Sequence, residues 1–476
     1  MSRTGWVLAG GLTVVAAVAL LSLPASGRTS VSLLISGGTV VTMDGAGGGA
    51  GTVIPDGAVA IDGQLIVAVG PTADVEAMYV GRERIDATGQ VIMPGLINTH
   101  THAPMVLFRG LADDLALMDW LNQYIFPAEK ATVSAEFVRV GTRLAVLEMI
   151  ESGTTAYADM YYFEEEIAAT TKAAGMRGVL GQTIIQFPVP DAATPEEGLA
   201  RAEAFLKEWA DDDLIVPAVA PHAPYTLSPD TLKATRALAN RYDAPLLIHL
   251  AETRDEVGII AKDHGTSPAL FLDSLGLWSG KSLAAHAVWV DEVDMAMLAA
   301  RGVGLSHNPE SNMKLASGTA PVLGWMAHGI RAGLGTDGAA SNNDLDMFEA
   351  MRVAALLHKH ASGDPRAMPA RDVLTLATRG GAEAMGLADR IGSLEVGKEA
   401  DVITVSMSSA RQTPLFDPLS HLVYVTRGDD VRNTIVQGRV LMRDRRVITM
   451  DRIAVIEAAK GMSERVRSAV AGQGAQ

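Results

Sequence analysis

The chain has 476 residues, 48% of them hydrophobic and 20% charged, so a large core is available and wholesale disorder is excluded. Its 39 Lys+Arg against 55 Asp+Glu give a formal charge of −16, which argues against a nucleic-acid or anionic-membrane binder working through a basic face. With no cysteine, disulfides, thiolate zinc sites, iron–sulfur clusters and Cys nucleophiles are all excluded, and any metal must be held by His and carboxylate.

Arg3 precedes a stretch without charge from Trp6 to Leu23, followed by the small residues Ala25, Ser26 and Gly27. Residues 1–27 read as a secretory signal peptide cleaved near Gly27, or as an N-terminal anchor if uncleaved. The expectation is therefore an exported protein, periplasmic or extracellular, touching a membrane only through that segment.

Val31–Asp44 and Gly57–Gly70 are rich in Val and Ile and broken by glycine turns, the pattern of short paired strands. Asp401–Ser406 and Asn433–Arg445 repeat that character near the other end. Between these flanks, short apolar segments alternate with helical ones such as Pro195–Trp209, which signals a parallel sheet. Eight apolar segments can be counted: Val91–His100, Thr154–Asp159, Arg177–Thr183, Ile215–Pro221, Pro245–Ala251, Ser282–Val288, Gly302–His307 and Arg331–Asp337. The spacing predicts an α/β fold, a (β/α)8 TIM barrel over 94–390, with a small composite β-sandwich domain from flanks 31–93 and 391–450. Residues 451–476 read as a C-terminal helix and tail.

Nearly every segment ends in a residue capable of chemistry: His100 and His102, Asp159, His222, His249 with Glu252, His286, His307 and Asp337. The carboxyl ends of barrel strands form the catalytic face. Residues two apart on a strand project to one side, so His100 and His102 can share one ion. His358-Lys359-His360 has the same spacing in a helical pattern, where such residues diverge, and is given no role; His264, His328 and His421 read as surface or capping residues. Asp337 tops the strand that neighbours strand 1 in a closed barrel. Three His and one carboxylate suit zinc, or iron or manganese. On local grounds alone, Glu252 reads equally as a helix-initiating carboxylate.

Pro94–His102 (PGLINTHTH) resembles the first metal-binding segment of the amidohydrolase superfamily, and His249–Glu252, His286 and Gly335–Asp337 resemble its later segments in order. Ser306–Gly318 and Gly392–Asp401 resemble the branch of 5′-methylthioadenosine/S-adenosylhomocysteine deaminases. The resemblance implies one divalent metal per subunit, zinc foremost, on His100, His102, His249 and Asp337. It implies hydrolytic deamination of an adenine nucleoside, with water activated at the metal, His286 orienting it, Glu252 as general acid/base and Asp337 serving proton transfer to ammonia. Trp120 and Glu129 are implied to pack on the substrate and to bind its two ribose hydroxyls; a helix-start glutamate after Pro127 is the plainer reading of Glu129. Gln182 and His222 are expected as further substrate residues, and Asn308, Ser311, Asn312 and Met313 are expected to shape the loop over the site. Family members that take S-adenosylhomocysteine tend to carry arginines after strand 3. Leu180–Leu199 has no Lys or Arg, so adenosine and 5′-methylthioadenosine are expected to outrank S-adenosylhomocysteine. The partner expected is a small molecule, no nucleic acid, with the chain in a homo-oligomer. Two alternatives stay open: an amino- or chlorohydrolase of guanine, a pterin or a triazine, and a catalytically dead exported binding protein.

Overall fold

The computed structural model describes residues 27–45 and 51–473; residues 1–26, where the sequence suggested a leader, and the middle of the Gly45–Gly51 turn lie outside the described residues. Eight parallel strands close into a barrel in chain order: Leu96–Thr101, Thr154–Tyr161, Arg177–Ile184, Ile215–Pro221, Leu246–Leu250, Ser282–His286, Gly304–His307 and Ala332–Leu334, strands 1 to 8. The fold is the α/β barrel that the alternating pattern predicts. Strands 2 and 3 are buried at every position because helices cover one face and the barrel interior the other, hence their continuous apolar character. Ala156, Ala158 and Met160 on strand 2 share one cluster with Val179, Ala218, Ala220, Leu247 and Leu283, while Leu180, one residue on from Val179, belongs to the outer shell. That two-residue alternation decides which side chains of strand 3 can reach a substrate.

Both flanks enter one nine-stranded sheet. Its seam is Gln90–Pro94 from the first flank, paired antiparallel with Val402–Ser406 from the second. The apolar segment Val91–His100 is thus two strands, one in each sheet, divided at Gly95. A Cβ on Gly95 would lie 2.0 Å from Thr155 Oγ1, so this crossing requires glycine. Beneath the barrel, the buried Arg177 guanidinium donates to Asp401 Oδ2 at 3.1 Å and Glu399 Oε2 at 2.5 Å, tying strand 3 to the returning chain. This places Arg177 far from the strand tips. Helix Arg452–Gln473 closes the chain, burying Val455, Ala459, Met462 and Val466 on one stripe, with Arg452–Glu151 and Arg465–Glu136 ion pairs at its flanks. Among the described residues no helix is long and apolar enough to cross a membrane.

Candidate metal and substrate site

His100 and His102 at the tip of strand 1, His249 on strand 5, His286 ending strand 6 and Asp337 just past strand 8 converge at the carboxyl end of the barrel. His100 Nε2 and His102 Nε2 each lie 3.4 Å from Asp337 Oδ1, and His249 Nε2 lies 3.3 Å from His102 Nε2. The other ring nitrogens are committed: His102 Nδ1 meets the Met160 carbonyl at 2.6 Å and His249 Nδ1 the His222 carbonyl at 2.7 Å. A carbonyl only accepts, so each Nδ1 carries the proton and each Nε2 of a neutral ring presents a bare lone pair. Two lone pairs and a carboxylate facing one another, beside a buried His100 Nε2 without a hydrogen-bond partner, fit a divalent cation among them. Burial lowers His100 to about 4 and takes His249 well down, keeping the rings in the neutral, ligating form. Burial opposes ionisation of Asp337, but the imidazoles of His100, His286 and His102 beside it hold its carboxyl well below the usual range.

Around this cluster stand residues that fix its orientation. Asp337 Oδ2 accepts from Ser311 Oγ at 2.7 Å and Ser341 Oγ at 3.0 Å, and Oδ1 accepts from Gly338 N at 2.7 Å. His286 Nδ1 contacts Asn312 Oδ1 at 2.9 Å, while its Nε2 is 3.9 Å from both Glu252 Oε2 and Asp337 Oδ2. Asp159 does not line the substrate cavity. Its Oδ2 accepts from Thr101 Oγ1 at 2.6 Å and so steadies the segment between the two strand-1 imidazoles. Glu256, singled out by no sequence argument, accepts from Ala251 N at 2.7 Å and Glu252 N at 3.0 Å. Thr253 caps the same helix by accepting from Glu256 N at 3.3 Å, so the signal was the Thr-x-x-Glu spacing of a capping box, with the Glu256 carboxylate reaching past the Thr253 amide to those of Glu252 and Ala251. Ala251, His286, Ala287 and Asp337 all have φ between +43° and +71°, a costly backbone for non-glycine residues, held at the tips of strands 5, 6 and 8.

One cavity is lined by His102, His249, Glu252, His286 and Asp337 and equally by Trp120, Glu129 and His222, so these expected residues share a single space. Glu129 is buried, not the exposed helix-start residue of the plainer reading; Tyr161 Oη donates to its Oε1 at 2.7 Å. Burial pushes the Glu129 carboxyl up to about 7, against that hydrogen bond. Burial likewise raises Glu252 and lowers His222 to about 3. The expectation for Gln182 fails. Gln182 falls on the Leu180 side of strand 3, fully buried, and donates to Asp191 Oδ2 at 2.9 Å and to the Thr183 carbonyl at 3.1 Å; Thr183, one residue on, lines the cavity instead. Tyr161, Tyr162, Tyr225 and Phe126 also line it and carried no sequence signal beyond ordinary core composition. Met313 is half exposed and absent from the lining. His358 is buried, its Nε2 3.1 Å from that of His307 behind the site, so one member of the unassigned pair does have a structural partner.

Comparison with known proteins agrees with this geometry. The profile of the amidohydrolase family matches residues 91–441. The chain belongs to the amidohydrolase family. A shorter match, to an imidazolonepropionase-like composite domain of bacteria, covers residues 57–79 in the small sheet. The chain is 46% identical to a 5-methylthioadenosine/S-adenosylhomocysteine deaminase of Syntrophobacter fumaroxidans over 93% of this chain and 100% of that protein. It is 45% identical to a 5′-deoxyadenosine deaminase of Methanosarcina acetivorans, over 91% and 98%. The crystal structure of a zinc-bound adenosine deaminase from Xanthomonas campestris superposes with a TM-score of 0.90 at 41% identity, covering 93% of this chain and 100% of that one. These relatives overturn the expectation of export. They are bacterial and archaeal deaminases matched over essentially their whole length, and the likeness lends export no support. The uncharged run Trp6–Leu23 has a leader's composition, and that composition alone carried the expectation.

Proposed function

We propose that the protein is a metal-dependent hydrolase that removes the amino group of an adenine nucleoside as ammonia, leaving the inosine-type product. The observation that carries the reading is the single cavity shared by the His/Asp cluster, Glu252 and the buried Glu129. The names of the three relatives described above, each a deaminase of an adenine nucleoside, support it. His100, His102, His249 and Asp337 would hold the metal. Zinc suits this cysteine-free set, and the Xanthomonas relative carries zinc. When bound, the metal supplies a water with lowered pKa.

The chain's own residues do the rest. Glu252, whose carboxyl is raised by burial, takes a proton from water and hands it to the ring nitrogen beside the reacting carbon. His286, fixed by Asn312 and facing both carboxylates, orients the attacking oxygen. Asp337, held by Ser311 and Ser341, passes a proton to the departing amine. Trp120 packs on the substrate, His222 reaches it from the end of strand 4, and the Glu129 carboxylate accepts hydrogen bonds from the two vicinal ribose hydroxyls. A guanine, pterin or triazine has no ribose to need Glu129. Ammonia release from adenosine, 5′-deoxyadenosine and 5′-methylthioadenosine, measured beside guanine, a pterin and a triazine, tests the reading. Turnover of the heterocycles without turnover of the nucleosides refutes it. Within the nucleosides, adenosine and 5′-methylthioadenosine should exceed S-adenosylhomocysteine in kcat/KM.

A further inference from the structure

His222 differs from the neighbouring imidazoles in what stands behind its ring. His102 and His249 each turn Nδ1 to a backbone carbonyl, which fixes the proton there and leaves Nε2 bare for a cation. His222 Nδ1 instead meets a hydroxyl, Thr226 Oγ1, at 3.1 Å. A hydroxyl donates as well as accepts, so it can hold the opposite tautomer. Thr226 Oγ1 accepts from Ala223 N at 3.1 Å, and two acceptors compete for its one proton, the Ala223 carbonyl at 3.1 Å and His222 Nδ1. That carbonyl already accepts from Thr226 N at 3.2 Å, whereas Nδ1 meets no other partner among the described residues. With the hydroxyl turned to Nδ1, each group of the turn is paired and the single proton of the neutral ring sits on Nε2. In the reverse arrangement Nδ1 donates, the carbonyl gains a second hydrogen bond, and Nε2 is left an acceptor. Thr226 is absent from the substrate cavity lining and His222 belongs to it, so the hydroxyl acts on a ligand through the ring. The backbone of the ring is fixed as well: His222 N donates to the Ile184 carbonyl at 3.0 Å, and the His222 carbonyl accepts from His249 N at 3.0 Å.

We propose that Thr226 is a positioning residue that holds His222 in the Nε2–H tautomer, so that the imidazole donates to a purine ring nitrogen and admits only heterocycles with an acceptor at that edge. The proposal rests on the adenine-nucleoside reading. In such a substrate N9 carries the sugar, the amino group lies at the reacting carbon, and Glu252 serves the ring nitrogen beside it. The two nitrogens left, N3 and N7, carry no proton and only accept. An Nε2 lone pair aimed at either would leave two acceptors facing each other without a proton between them, the costly case in a buried site. A protonated Nε2 is also no metal ligand, so the same tautomer keeps His222 out of the cluster although its ring centroid lies 4.8 Å from that of His249. A carbonyl behind the ring thus makes a ligand for a cation, and a hydroxyl behind it makes a donor to substrate.

The experiment measures inhibition of 5′-deoxyadenosine deamination by inosine, 3-deazainosine and 7-deazainosine on the metal-loaded enzyme; the deaza compounds each lack one of the two nitrogens. In wild type at least one deaza compound should bind about tenfold more weakly than inosine. Thr226→Val keeps the shape and loses the hydroxyl, and should bring that ratio below about threefold, while Thr226→Ser should retain it. Comparing inhibitors within one variant cancels general damage to the turn. On the unaltered protein, nitrogen-15 spectra of labelled histidine in the inosine complex should place the His222 proton on Nε2, the signal being identified by its loss in His222→Gln. An unchanged ratio in Thr226→Val, a ratio lost in Thr226→Ser, equal binding of all three compounds by wild type, or a proton on Nδ1 overturns the proposal, and in each case normal turnover of 5′-deoxyadenosine leaves the nucleoside reading standing. Absence of both that turnover and inhibition by inosine sinks the nucleoside reading itself.

Discussion

Replacing Glu129 tests the step from deaminase to nucleoside deaminase. Glu129 is 4% exposed, and one carboxylate oxygen already accepts from Tyr161 at 2.7 Å, which fixes the group and leaves its remaining lone pairs for a ligand. Losing a charge-assisted acceptor for the ribose hydroxyls should cost about 1.5–3 kcal/mol, roughly ten- to a hundred-fold in kcat/KM. Glu129→Ala also leaves the buried Tyr161 hydroxyl unpaired, so Glu129→Gln, which keeps an acceptor for Tyr161, is the cleaner variant and should lose somewhat less. The assay compares adenosine with 2′,3′-dideoxyadenosine. Wild type should prefer adenosine strongly, and both variants should nearly abolish that preference, a cycle in which general damage to the site cancels. The pH dependence has a definite sign. Burial pushes the Glu129 carboxyl up to about 7, so the stronger, ionised acceptor is present above that value and lost as pH falls through it. The adenosine preference of wild type should therefore shrink below pH 7, and that of Glu129→Gln should not change. Equal loss on both substrates in the variants refutes the ribose role.

Glu252→Gln should abolish turnover while metal content, measured by elemental analysis, stays at the wild-type level; Asp337→Asn should lose turnover and lower the metal content. Equal metal loss in both would collapse the separation of their roles. Glu256→Ala frees the Ala251 and Glu252 amides, and kcat should fall at least tenfold with KM within about twofold, because the substrate contacts remain while Glu252 drifts. A change confined to thermal stability would make Glu256 purely structural. Arg177→Met strands the buried Asp401 carboxylate and should cost about 3–5 kcal/mol in urea unfolding, with kcat/KM of the folded enzyme little changed. Loss below about 1 kcal/mol would mean that the seam beneath the barrel does not depend on this pair.

What was legible in the sequence is what a strand repeats locally. His100 and His102 sit two apart on an apolar segment, and His249, His286 and Asp337 end others, so the barrel and the converging cluster followed from period and position. Illegible was whatever depends on which way a strand presents its faces in a closed barrel. The segment Arg177–Thr183 is apolar on both sides, so nothing in its pattern says that Thr183 faces the cavity and Gln182 faces Asp191. Positive φ at His286 and Asp337 was hidden for another reason: left-handed backbone is read from glycine, and these positions carry an imidazole and a carboxylate instead. The carbonyls of Met160 and His222 that direct His102 and His249 belong to neighbouring strands and have no side-chain identity at all. The proposed ligands are therefore written in the residues, but the lone-pair directions that would let them share an ion are written in the strand register. A one-residue shift between strands 1 and 2 would leave every histidine in place in the sequence and remove the carbonyl that turns His102 Nε2 towards Asp337.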